Sequence, residues 1–457
     1  MRKAIILAAG KGTRMKSAHP KVVHKVCGKE MVNHVIDSAK NAGVDSVIAV
    51  LGHGIDKVKS VLNEGTKTVV QKEQLGTGHA VMMAEGEIDR DDTVVVLCGD
   101  TPLISTQTLN RLFDFHDNGG FAVTVLTTEA ADPTGYGRVI RDENGCLTKI
   151  VEQKDANDDE LKVREINSGI YCFDGGYLLD SLKKVDNKNA QGEYYLPDTI
   201  EIIRTNGGLC GAFNGATIEE LMGVNSRVQL SKAEAIMREK INEYHMDNGV
   251  TIIDPSNTYI EKGAKIGSDT IILPGCMIDS TSVIGSGCVI GPQTSITNSE
   301  VGDETTIKKS ELIDAKVGSK TSVGPYAYLR PKADIGDNCK IGDFVEVKNA
   351  KFGNGSKASH LSYIGDAEVG ENVNVGCGVV FVNYDGKNKF KSIVKDNAFI
   401  GSNSNLVAPV TVEADAFIAT GSTITDDIPE GSLAIARERQ VVKPGWVEKK
   451  RKKDEEK

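Results

Sequence analysis

An aliphatic residue recurs every six positions from about residue 251 to residue 425, and this period restricts the fold more than any other feature of the chain. An α-helix repeats its apolar face every three to four residues and a strand alternates its two sides, so neither produces this spacing. A parallel β-helix does, because each of its short strands points one aliphatic side chain inward. The aliphatic positions form three registers: Ile266, Ile272, Ile278, Ile284, Ile290 and Ile296; then Val323, Leu329, Ile335, Ile341 and Val347; and last Val394, Ile400, Leu406, Val412, Ile418 and Ile424. The period therefore predicts a solenoid over more than a third of the 457 residues.

Glycine usage fits such a solenoid. Glycine adopts positive φ without steric cost, so we expect glycines at the tight corners between strands. Aromatic residues make up only 5% of the chain, which suits an interior too narrow for rings. Glycine follows the aliphatic residue of the repeat in Ile266-Gly267, Ile284-Gly285, Ile290-Gly291, Ile341-Gly342 and Ile400-Gly401.

Composition narrows the classes of function. The formal net charge of -10 argues against general nucleic-acid binding. The nine cysteines are scattered without a Cys-x-x-Cys pair, which argues against a zinc cluster and suits a reducing compartment. The apolar run Ala4–Ala9 is too short for a typical signal peptide, so we expect a cytoplasmic protein without stable membrane association. We expect the charged tail, 449–457, to be a solvated and disordered end.

Residues 1–227 alternate short aliphatic runs with helical patterns, which predicts an α/β nucleotide-binding type of domain with a mostly parallel sheet. Ligands bind such sheets at the carboxyl ends of the strands, so we expect binding residues in the loops that follow strands. The predicted strands include Ala4–Ala8, Ser46–Val50, Thr93–Leu97 and Phe121–Leu126, and the predicted helices include Val32–Ala42 and Thr106–His116.

A linker over 228–250 is predicted to contain one helix, 228–247, before the solenoid domain, 251–457. Ser231–Glu234 has the pattern of a capping box. The hexapeptide repeat is interrupted at Asn349–His360 and at Asn383–Phe390, and insertions in a solenoid often carry its site. The apolar face of the linker helix consists of Leu230, Ala233, Met237, Ile241 and Tyr244.

A glycine-rich loop, Leu7–Met15, follows the first predicted strand. It is not a Walker loop, and it lacks the third glycine of a dinucleotide fingerprint. Its small residues would let backbone amides approach a phosphate chain, where Lys11 and Arg14 add positive charge. On this motif alone a generic turn is the alternative.

Further motifs make the interpretation of this loop more specific. Leu7–Met15 resembles the signature of sugar-nucleotide pyrophosphorylases, and the matches continue in order through His19-Pro20-Lys21, Gln71, Gln74–Ala80, Cys98-Gly99-Asp100, Gly135–Arg138, Glu152, Ile166–Gly169 and Gly223-Val224-Asn225. Together with the hexapeptide solenoid, nearly the full length resembles the bacterial bifunctional N-acetylglucosamine-1-phosphate uridyltransferase/glucosamine-1-phosphate acetyltransferases.

The resemblance implies two reactions. Glucosamine 1-phosphate would be acetylated by acetyl-CoA, and N-acetylglucosamine 1-phosphate would then receive UMP from UTP with release of pyrophosphate. The product, UDP-N-acetylglucosamine, would supply peptidoglycan and other cell-envelope polymers. The resemblance also implies a left-handed β-helix and a homotrimer with acetyl-CoA between adjacent subunits. The period of six shows neither the handedness nor the trimer.

For uridylyl transfer, the resemblance implies that Arg14 and Lys11 hold the leaving pyrophosphate and that Lys21 stabilises charge near the α-phosphate. Gln71 and Gly76-Thr77 would read uracil, and Gly137, Glu152 and Asn167 would hold the sugar. Asp100 follows a predicted strand and with Asn225 would bind Mg²⁺, although a turn residue is the alternative for Asp100. The full nucleotide and sugar-nucleotide set is Leu7, Ala8, Ala9, Gly10, Lys11, Gln71, Gly76, Thr77, Gly137, Glu152, Asn167 and Asn225.

For acetyl transfer, a protonated amine becomes nucleophilic only after it loses its proton, and the resemblance implies His360 as the base. Glu346 is expected to orient the imidazole or to raise its basicity. No cysteine receives a nucleophilic role. The remaining residues implied are Arg330, Lys348 and Lys389 on the substrate phosphate; Tyr363 and Asn374 on the sugar; and Asn383, Tyr384, Ser402, Thr420 (through its backbone) and Arg437 on acetyl-CoA.

Two alternatives remain open at this point. The chain could be a nucleotidyltransferase for another sugar phosphate, with a solenoid that serves only assembly. His360, Lys348 and the Asn383–Phe390 insertion argue against this alternative. It could also be a regulatory scaffold with a decayed nucleotide site, and the intact Lys21 and Asp100 argue against that.

Overall fold

The computed structural model describes residues 1–143 and 145–456. The chain divides into two compact units, Met1–Lys240 and Ile241–Lys457. The first unit is built on a nine-stranded sheet and the second on long parallel sheets of very short strands.

The first unit alternates strands and helices as predicted. Its strands are β1 (Arg2–Ala8), β2 (Lys25–Val26), β3 (Lys29–Glu30), β4 (Ser46–Leu51), β5 (Lys67–Val70), β6 (Thr93–Cys98), β7 (Val123–Glu129), β8 (Arg138–Arg141), β9 (Leu147–Val151), β10 (Glu165–Asp174) and β11 (Cys210–Asn214). Its helices are α1 (Met31–Asn41), α2 (Ile55–Lys59), α3 (Thr77–Met82), α4 (Thr106–Gly119), α5 (Gly175–Leu182) and α6 (Asp198–Thr205), with short 3₁₀ turns at Thr13–Met15, Lys21–Val23, Glu85–Glu87 and Glu160–Lys162.

The main sheet has the strand order β11-β7-β10-β6-β1-β4-β5. β1 pairs parallel with β4 and β6, whereas β10 runs antiparallel to both β6 and β7. One core packs α1 and α4 on one face, and another packs α3, α5 and α6 on the opposite face. The central strands are therefore buried on both sides, which explains their unbroken aliphatic runs. The carboxyl ends of β1 and β6 lie side by side, so the loops after Ala8 and Cys98 meet there.

The predicted linker helix exists as α7 (Arg227–Asp247), but it begins earlier than the predicted capping box. The Ser226 hydroxyl accepts a hydrogen bond from the Gln229 amide at 3.2 Å, and the Gln229 side chain accepts one from the Asn225 amide at 2.8 Å. Ser226 and Gln229 form the capping pair that opens this helix. Ser231–Glu234 therefore lies inside the helix and is not its capping box, whereas the predicted bounds of the helix, 228–247, are confirmed to within one residue.

The second unit is a parallel β-helix whose coils each contribute strands to three columns. The first column contains Thr251–Ile252, Ile271–Ile272, Val289–Ile290, Thr306–Ile307, Ser322–Val323, Lys340–Asp343, Lys357–His360, Asn374–Val375, Phe399–Ile400, Phe417–Ile418 and Leu433–Ala434. The second contains Tyr259–Ile260, Met277–Ile278, Ser295–Thr297, Glu311–Ile313, Tyr328–Leu329, Glu346–Phe352, Tyr363–Val369, Val380–Val382, Asn405–Val407 and Thr423–Ile424. The third contains Lys265–Ile266, Val283–Ile284, Glu300–Val301, Lys316–Val317, Ala333–Ile335, Ser392–Val394 and Val410–Val412, and the strands at Glu346 and Tyr363 extend into it. A 3₁₀ turn, Pro255–Asn257, lies within the first coil.

The three aliphatic registers point into the solenoid as predicted. Apart from Ile266, which is half-buried, every residue of these registers is buried. A fully buried aliphatic side chain contributes about 1.5–3 kcal/mol relative to an exposed one, so the stacked registers are the main stabilising feature of this unit.

The reason for the repeat glycines differs from the prediction. Among the five noted from the sequence, Gly291 has a positive φ of 105°, but Gly267, Gly285, Gly342 and Gly401 do not. A Cβ on Gly267 would lie 2.6 Å from the Ser286 backbone nitrogen, and a Cβ on Gly342 would lie 1.9 Å from the Ser359 carbonyl oxygen. These glycines are needed because the next coil passes too close for a side chain. Positive φ occurs at other glycines of the solenoid, such as Gly263, Gly275 and Gly287, and also at non-glycine positions, among them Asp269, Gln293, Glu304, Lys320, Asn338, Asn397 and Asp415.

One predicted interruption of the repeat is wrong and the other is confirmed. Asn349–His360 contains regular strands, which pair in register with the coils on both sides. Asn383–Phe390 is a true insertion between the strands Val380–Val382 and Ser392–Val394, and Tyr384 and Lys389 form an antiparallel bridge across it.

The charged tail also differs from the prediction. Trp446–Glu455 forms a helix, α8, all of whose residues are exposed, so this segment is solvated but not disordered. Lys457 lies outside the described residues. Over the described parts of the chain, no helix is long and apolar enough to cross a membrane.

Candidate active sites

The loop after β1 forms one wall of the first candidate site. Gly12 has a φ of 62°, and a Cβ added there would lie 2.6 Å from the Lys21 Cβ. Gly12 is thus required both by its backbone conformation and by the close approach of Lys21. Lys11 and Arg14 on this loop are exposed, and within residues 1–143 and 145–456 neither is in an ion pair. Both cations are therefore available to an anionic ligand.

Lys21, Asp100 and Asn225 converge at the carboxyl end of the sheet. The Lys21 ammonium donates to the Asp100 carboxylate and, at 2.8 Å, to the Asn225 side-chain oxygen. The Lys21 and Asp100 side chains are only 14% and 17% exposed. The backbone supports the arrangement, because the Val224 amide donates to the Asp100 carbonyl at 2.8 Å. The pair of residues predicted to bind a metal is thus brought together.

The donor atoms of this pair suit a hard divalent cation. Asp100 offers carboxylate oxygens and Asn225 an amide oxygen, and both already lie around one positive charge, the Lys21 ammonium. In the described part of the chain no three His, Cys, Asp or Glu residues form a group that could hold a metal by themselves. A cation here would complete its coordination with water and with oxygens of a substrate, as Mg²⁺ does in phosphate chemistry.

Gln71 and the Gly76-Thr77 segment lie together beside the sheet. The buried Gln71 side chain donates to the Gly76 carbonyl at 3.1 Å. The Thr77 hydroxyl accepts a hydrogen bond from the Leu196 amide at 3.1 Å. A Cβ on Gly76 would lie 2.5 Å from the Tyr194 carbonyl oxygen, so only glycine fits at this close contact. The segment predicted to read the base is therefore held rigidly.

A cavity of about 220 Å³ joins the ends of β1 and β6 to the β8–β9 hairpin. Burial raises the pKa of the Glu152 carboxyl, and the nearby acidic groups Asp155 and Glu193 raise it further. The Tyr171 hydroxyl donates to the Asn167 side chain at 2.9 Å. The lining includes Leu7, Thr77, Gly137, Glu152, Asn167 and Tyr171. The sequence analysis missed Tyr171, because a tyrosine within a strand reads as ordinary packing.

Three cations lie together on the solenoid coils. Arg330 follows the strand Tyr328–Leu329, Lys348 lies within Glu346–Phe352, and Lys389 belongs to the insertion. Lys389 holds the pKa of Lys348 below its ordinary value, mainly through their direct contact and charge repulsion, and Arg330 adds to the repulsion. Such a cluster of like charges favours a bound anion.

His360 has a different partner from the one expected. Its Nδ1 lies 2.5 Å from the Asp343 carboxylate, whereas the Glu346 carboxylate accepts a hydrogen bond from Arg330 at 2.6 Å. The expectation that Glu346 orients the imidazole is therefore wrong in this structure. Asp343 was missed, although its offset of 17 residues from His360 is close to the length of one coil.

The residues predicted to hold the sugar and to close the site lie on neighbouring coils. Tyr363 pairs in register with Glu346, and Asn374 begins the strand that pairs with Lys357–His360. The Asn383 amide donates to Asp366 at 2.5 Å and to the Tyr363 hydroxyl at 3.4 Å. The Tyr384 hydroxyl donates to the Gly386 carbonyl at 2.6 Å within the insertion. Asp366, like Asp343, is a residue of the solenoid that was not predicted from the sequence.

Ser402, Thr420 and Arg437 form a separate group at the end of the first column. Ser402 and Thr420 take equivalent positions, two residues after the paired strands Phe399–Ile400 and Phe417–Ile418. Arg437 donates to the Thr420 carbonyl at 2.6 Å. The contact uses the Thr420 backbone, so it does not depend on the threonine side chain.

Comparison with known proteins agrees with this architecture. The model of the nucleotidyl transferase family matches residues 3–217, and that of the bacterial transferase hexapeptide matches residues 263–298 and 314–349. The chain is similar to proteins named bifunctional protein GlmU. It is 67% identical to the one from Clostridioides difficile, with 99% of each chain covered. The identities are 58% for Alkaliphilus oremlandii and 54% for Clostridium botulinum, with 98% of each chain covered in both cases. The chain therefore belongs to the GlmU family of bifunctional enzymes, with a uridyltransferase in its nucleotidyl transferase region and an acetyltransferase on a left-handed hexapeptide β-helix.

Proposed function

We propose that the solenoid transfers acetyl from acetyl-CoA to glucosamine 1-phosphate, and that the first unit then transfers UMP from UTP to N-acetylglucosamine 1-phosphate. The observation that carries the proposal is a histidine base on the same coils as three clustered cations, Arg330, Lys348 and Lys389. A solenoid that served only assembly would not need this chemistry. The released UDP-N-acetylglucosamine would supply cell-envelope polymers from the cytoplasm.

In uridylyl transfer, the sugar phosphate attacks the α-phosphate of UTP in line, and catalysis rests on positioning and neutralisation of charge. Lys11 and Arg14 take the leaving pyrophosphate, and their exposure and lack of ion pairs support this role. Lys21 stabilises the negative charge that develops at the α-phosphate. Gln71 and Gly76-Thr77 take uracil, since an amide side chain and backbone groups can match its imide edge.

The sugar binds in the cavity beside Gly137, Glu152 and Asn167. An ionised Glu152 accepts hydrogen bonds from sugar hydroxyls, and the absence of a side chain at Gly137 leaves room beside it. A Cβ there would lie 3.2 Å from the Glu152 carboxylate oxygen. Asp100 and Asn225 would hold Mg²⁺ through their carboxylate and amide oxygens, and Lys21, which lies beside them, would contact the substrate phosphate. When bound, the cation neutralises phosphate charge.

In acetyl transfer, Arg330, Lys348 and Lys389 bind the phosphate of glucosamine 1-phosphate, while Tyr363 and Asn374 contact the sugar. His360 accepts a proton from the amine nitrogen as this nitrogen forms a bond to the carbonyl carbon of acetyl-CoA. The carbon–sulfur bond breaks, and the sulfur leaves with the electron pair and takes the proton. No acyl-enzyme forms, so no cysteine is required.

Acetyl-CoA lies along Asn383, Tyr384, Ser402, Thr420 and Arg437, with Arg437 near a CoA phosphate. We place acetyl-CoA between two copies of the solenoid in a homotrimer. Exposed apolar side chains at one corner support self-association: Tyr326, Phe344 and Leu361 are 53%, 57% and 57% exposed. A monomer would leave this patch in water.

Two single variants test the assignment in the full-length protein. We expect His360→Ala to abolish thiol release from acetyl-CoA with glucosamine 1-phosphate as acceptor, while pyrophosphate release from UTP continues. Asp100→Ala should show the reverse pattern. Loss of both activities in either variant, with unfolding unchanged, would contradict two independent sites. Absence of thiol release from the wild type would leave the solenoid without its proposed reaction.

A further inference from the structure

We propose that Asp343 is a positioning residue for acetyl transfer, which holds the His360 ring in the orientation and tautomer that a base requires. This inference rests on the proposed role of His360 and adds a second group to that site. It differs from the expectation of the sequence analysis, which gave the role to Glu346.

The geometry follows from the stacking of two coils. Asp343 ends the strand Lys340–Asp343 and His360 ends Lys357–His360, and the two residues are partners in the register of these strands. Both side chains leave the sheet at the same corner, where His360 Nδ1 and Asp343 Oδ1 are 2.5 Å apart. A coil one residue longer or shorter would separate them. A Cβ on Gly342 would collide with the Ser359 carbonyl at 1.9 Å, so the glycine before Asp343 keeps the two coils at this distance.

The chemistry of the pair determines which imidazole nitrogen acts. The hydrogen bond to His360 is the main cause that lowers the pKa of the Asp343 carboxyl, so this group is ionised near neutral pH. An ionised carboxylate only accepts hydrogen bonds, so Nδ1 of His360 must carry the proton. Nε2 is then left with its lone pair and can take a proton from the substrate amine. As the imidazole becomes positive, the adjacent carboxylate stabilises it.

Other charged groups near this corner do not replace Asp343. Lys340 lies on the strand of Asp343 and Lys357 on the strand of His360, and neither ammonium can accept a hydrogen bond from the imidazole. The strand on the other side of His360, Asn374–Val375, carries no titratable group. Glu346 is paired with Arg330, so its charge is already compensated. Asp343 is thus the carboxylate that faces Nδ1 of His360.

The test compares Asp343→Ala and Asp343→Asn in the full-length enzyme, with acetyl transfer followed by thiol release. In Asp343→Ala we expect kcat to fall about tenfold, because the tautomer and ring orientation are no longer held. Asp343→Asn keeps an acceptor for Nδ1, so it should lose much less of kcat. KM for glucosamine 1-phosphate should stay unchanged in both variants.

Asp334→Ala is the matched control, because it removes an exposed carboxylate from the third column of the same solenoid. It should leave kcat and KM unchanged, and uridylyl transfer should be normal in all variants. A kcat of Asp343→Ala equal to that of the wild type, or an equal loss of kcat in Asp343→Asn, would overturn the inference. Normal acetyl transfer in His360→Ala would instead contradict the proposed base itself.

Discussion

At the scale of single residues, burial gives Glu152 an unusual protonation behaviour. Its pKa lies above the ordinary 4.5 because the charged form is poorly solvated and faces Asp155 and Glu193. The carboxyl therefore takes up its proton at a higher pH than an exposed glutamate does as the solution is acidified. A protonated Glu152 loses acceptor capacity toward sugar hydroxyls.

We therefore predict that KM for N-acetylglucosamine 1-phosphate rises on acidification at a higher pH than the one at which an ordinary glutamate takes up its proton. Glu152→Gln should raise KM about tenfold and remove this pH dependence, because its side chain does not titrate. Steady-state pyrophosphate release measures both effects. If KM of the variant keeps the pH dependence of the wild type, another group is responsible.

At the scale of elements, the first residue of α6, Asp198, destabilises the folded state when its side chain is charged. Burial raises the pKa of Asp198 to about 6, and repulsion from Asp186 and Glu201 adds to the effect. The folded-state pKa is thus higher than the ordinary 3.8, so the charged form is less favourable in the folded than in the unfolded chain. This destabilisation is absent at low pH, where Asp198 is protonated in both the folded and the unfolded chain, and it is complete above about pH 6.

Asp198→Asn should therefore stabilise the first unit above about pH 6 and have little effect near pH 4. Two pH units correspond to about 3 kcal/mol, and because solvent screens a partly exposed group we expect about 1 kcal/mol, or about 2–4 °C in Tm. Calorimetry at the two pH values measures this. Equal shifts at both values would mean that packing, not charge, causes the change.

At the scale of the whole molecule, the second half of α7 closes the first coil of the solenoid. The fully buried Asn242 side chain donates to the Pro255 carbonyl at 2.9 Å and to the Thr258 carbonyl at 3.1 Å. Ile241 and His245 on the same helix are buried as well. The helix therefore shields the end of the aliphatic stack from water, as terminal caps do in other solenoids.

We predict that the fragment 228–457 forms a trimer with the acetyl-transfer rate of the full chain. The fragment 251–457 should keep the trimer and its activity but unfold at a lower temperature, because it loses the helix. Light scattering gives the mass in solution, and thermal unfolding compares the two fragments. A stable, active monomer of either fragment would contradict the proposed assembly, and equal unfolding temperatures would contradict the role of the helix.

Features of this molecule that depend on residues close together in the chain could be predicted from the sequence, whereas features that depend on other residues could not. The period of six predicted the inward side chains of the coils, because each strand of a coil places one aliphatic side chain in the same inward position. The four strands and two helices named from the sequence in the first unit are also present, with differences at their ends. The bounds of α7 were predicted as well, but not its capping pair, because Ser226 and Gln229 lie outside the apolar pattern. The insertion Asn383–Phe390 stood out in the sequence because no coil can contain it.

The sequence by itself determined the α/β unit, the solenoid, the family and the residue types of both sites, because these follow from local periodicity and from ordered motifs. Only the tertiary structure decided which side chains meet. Asp343 rather than Glu346 faces His360, and Lys21 lies between Asp100 and Asn225. Four of the five repeat glycines noted from the sequence are likewise required by the close approach of the neighbouring coil and not by a positive φ. In each case the partner lies one coil or one strand crossing away, and its position depends on exact coil lengths and packing distances that a periodic pattern does not contain.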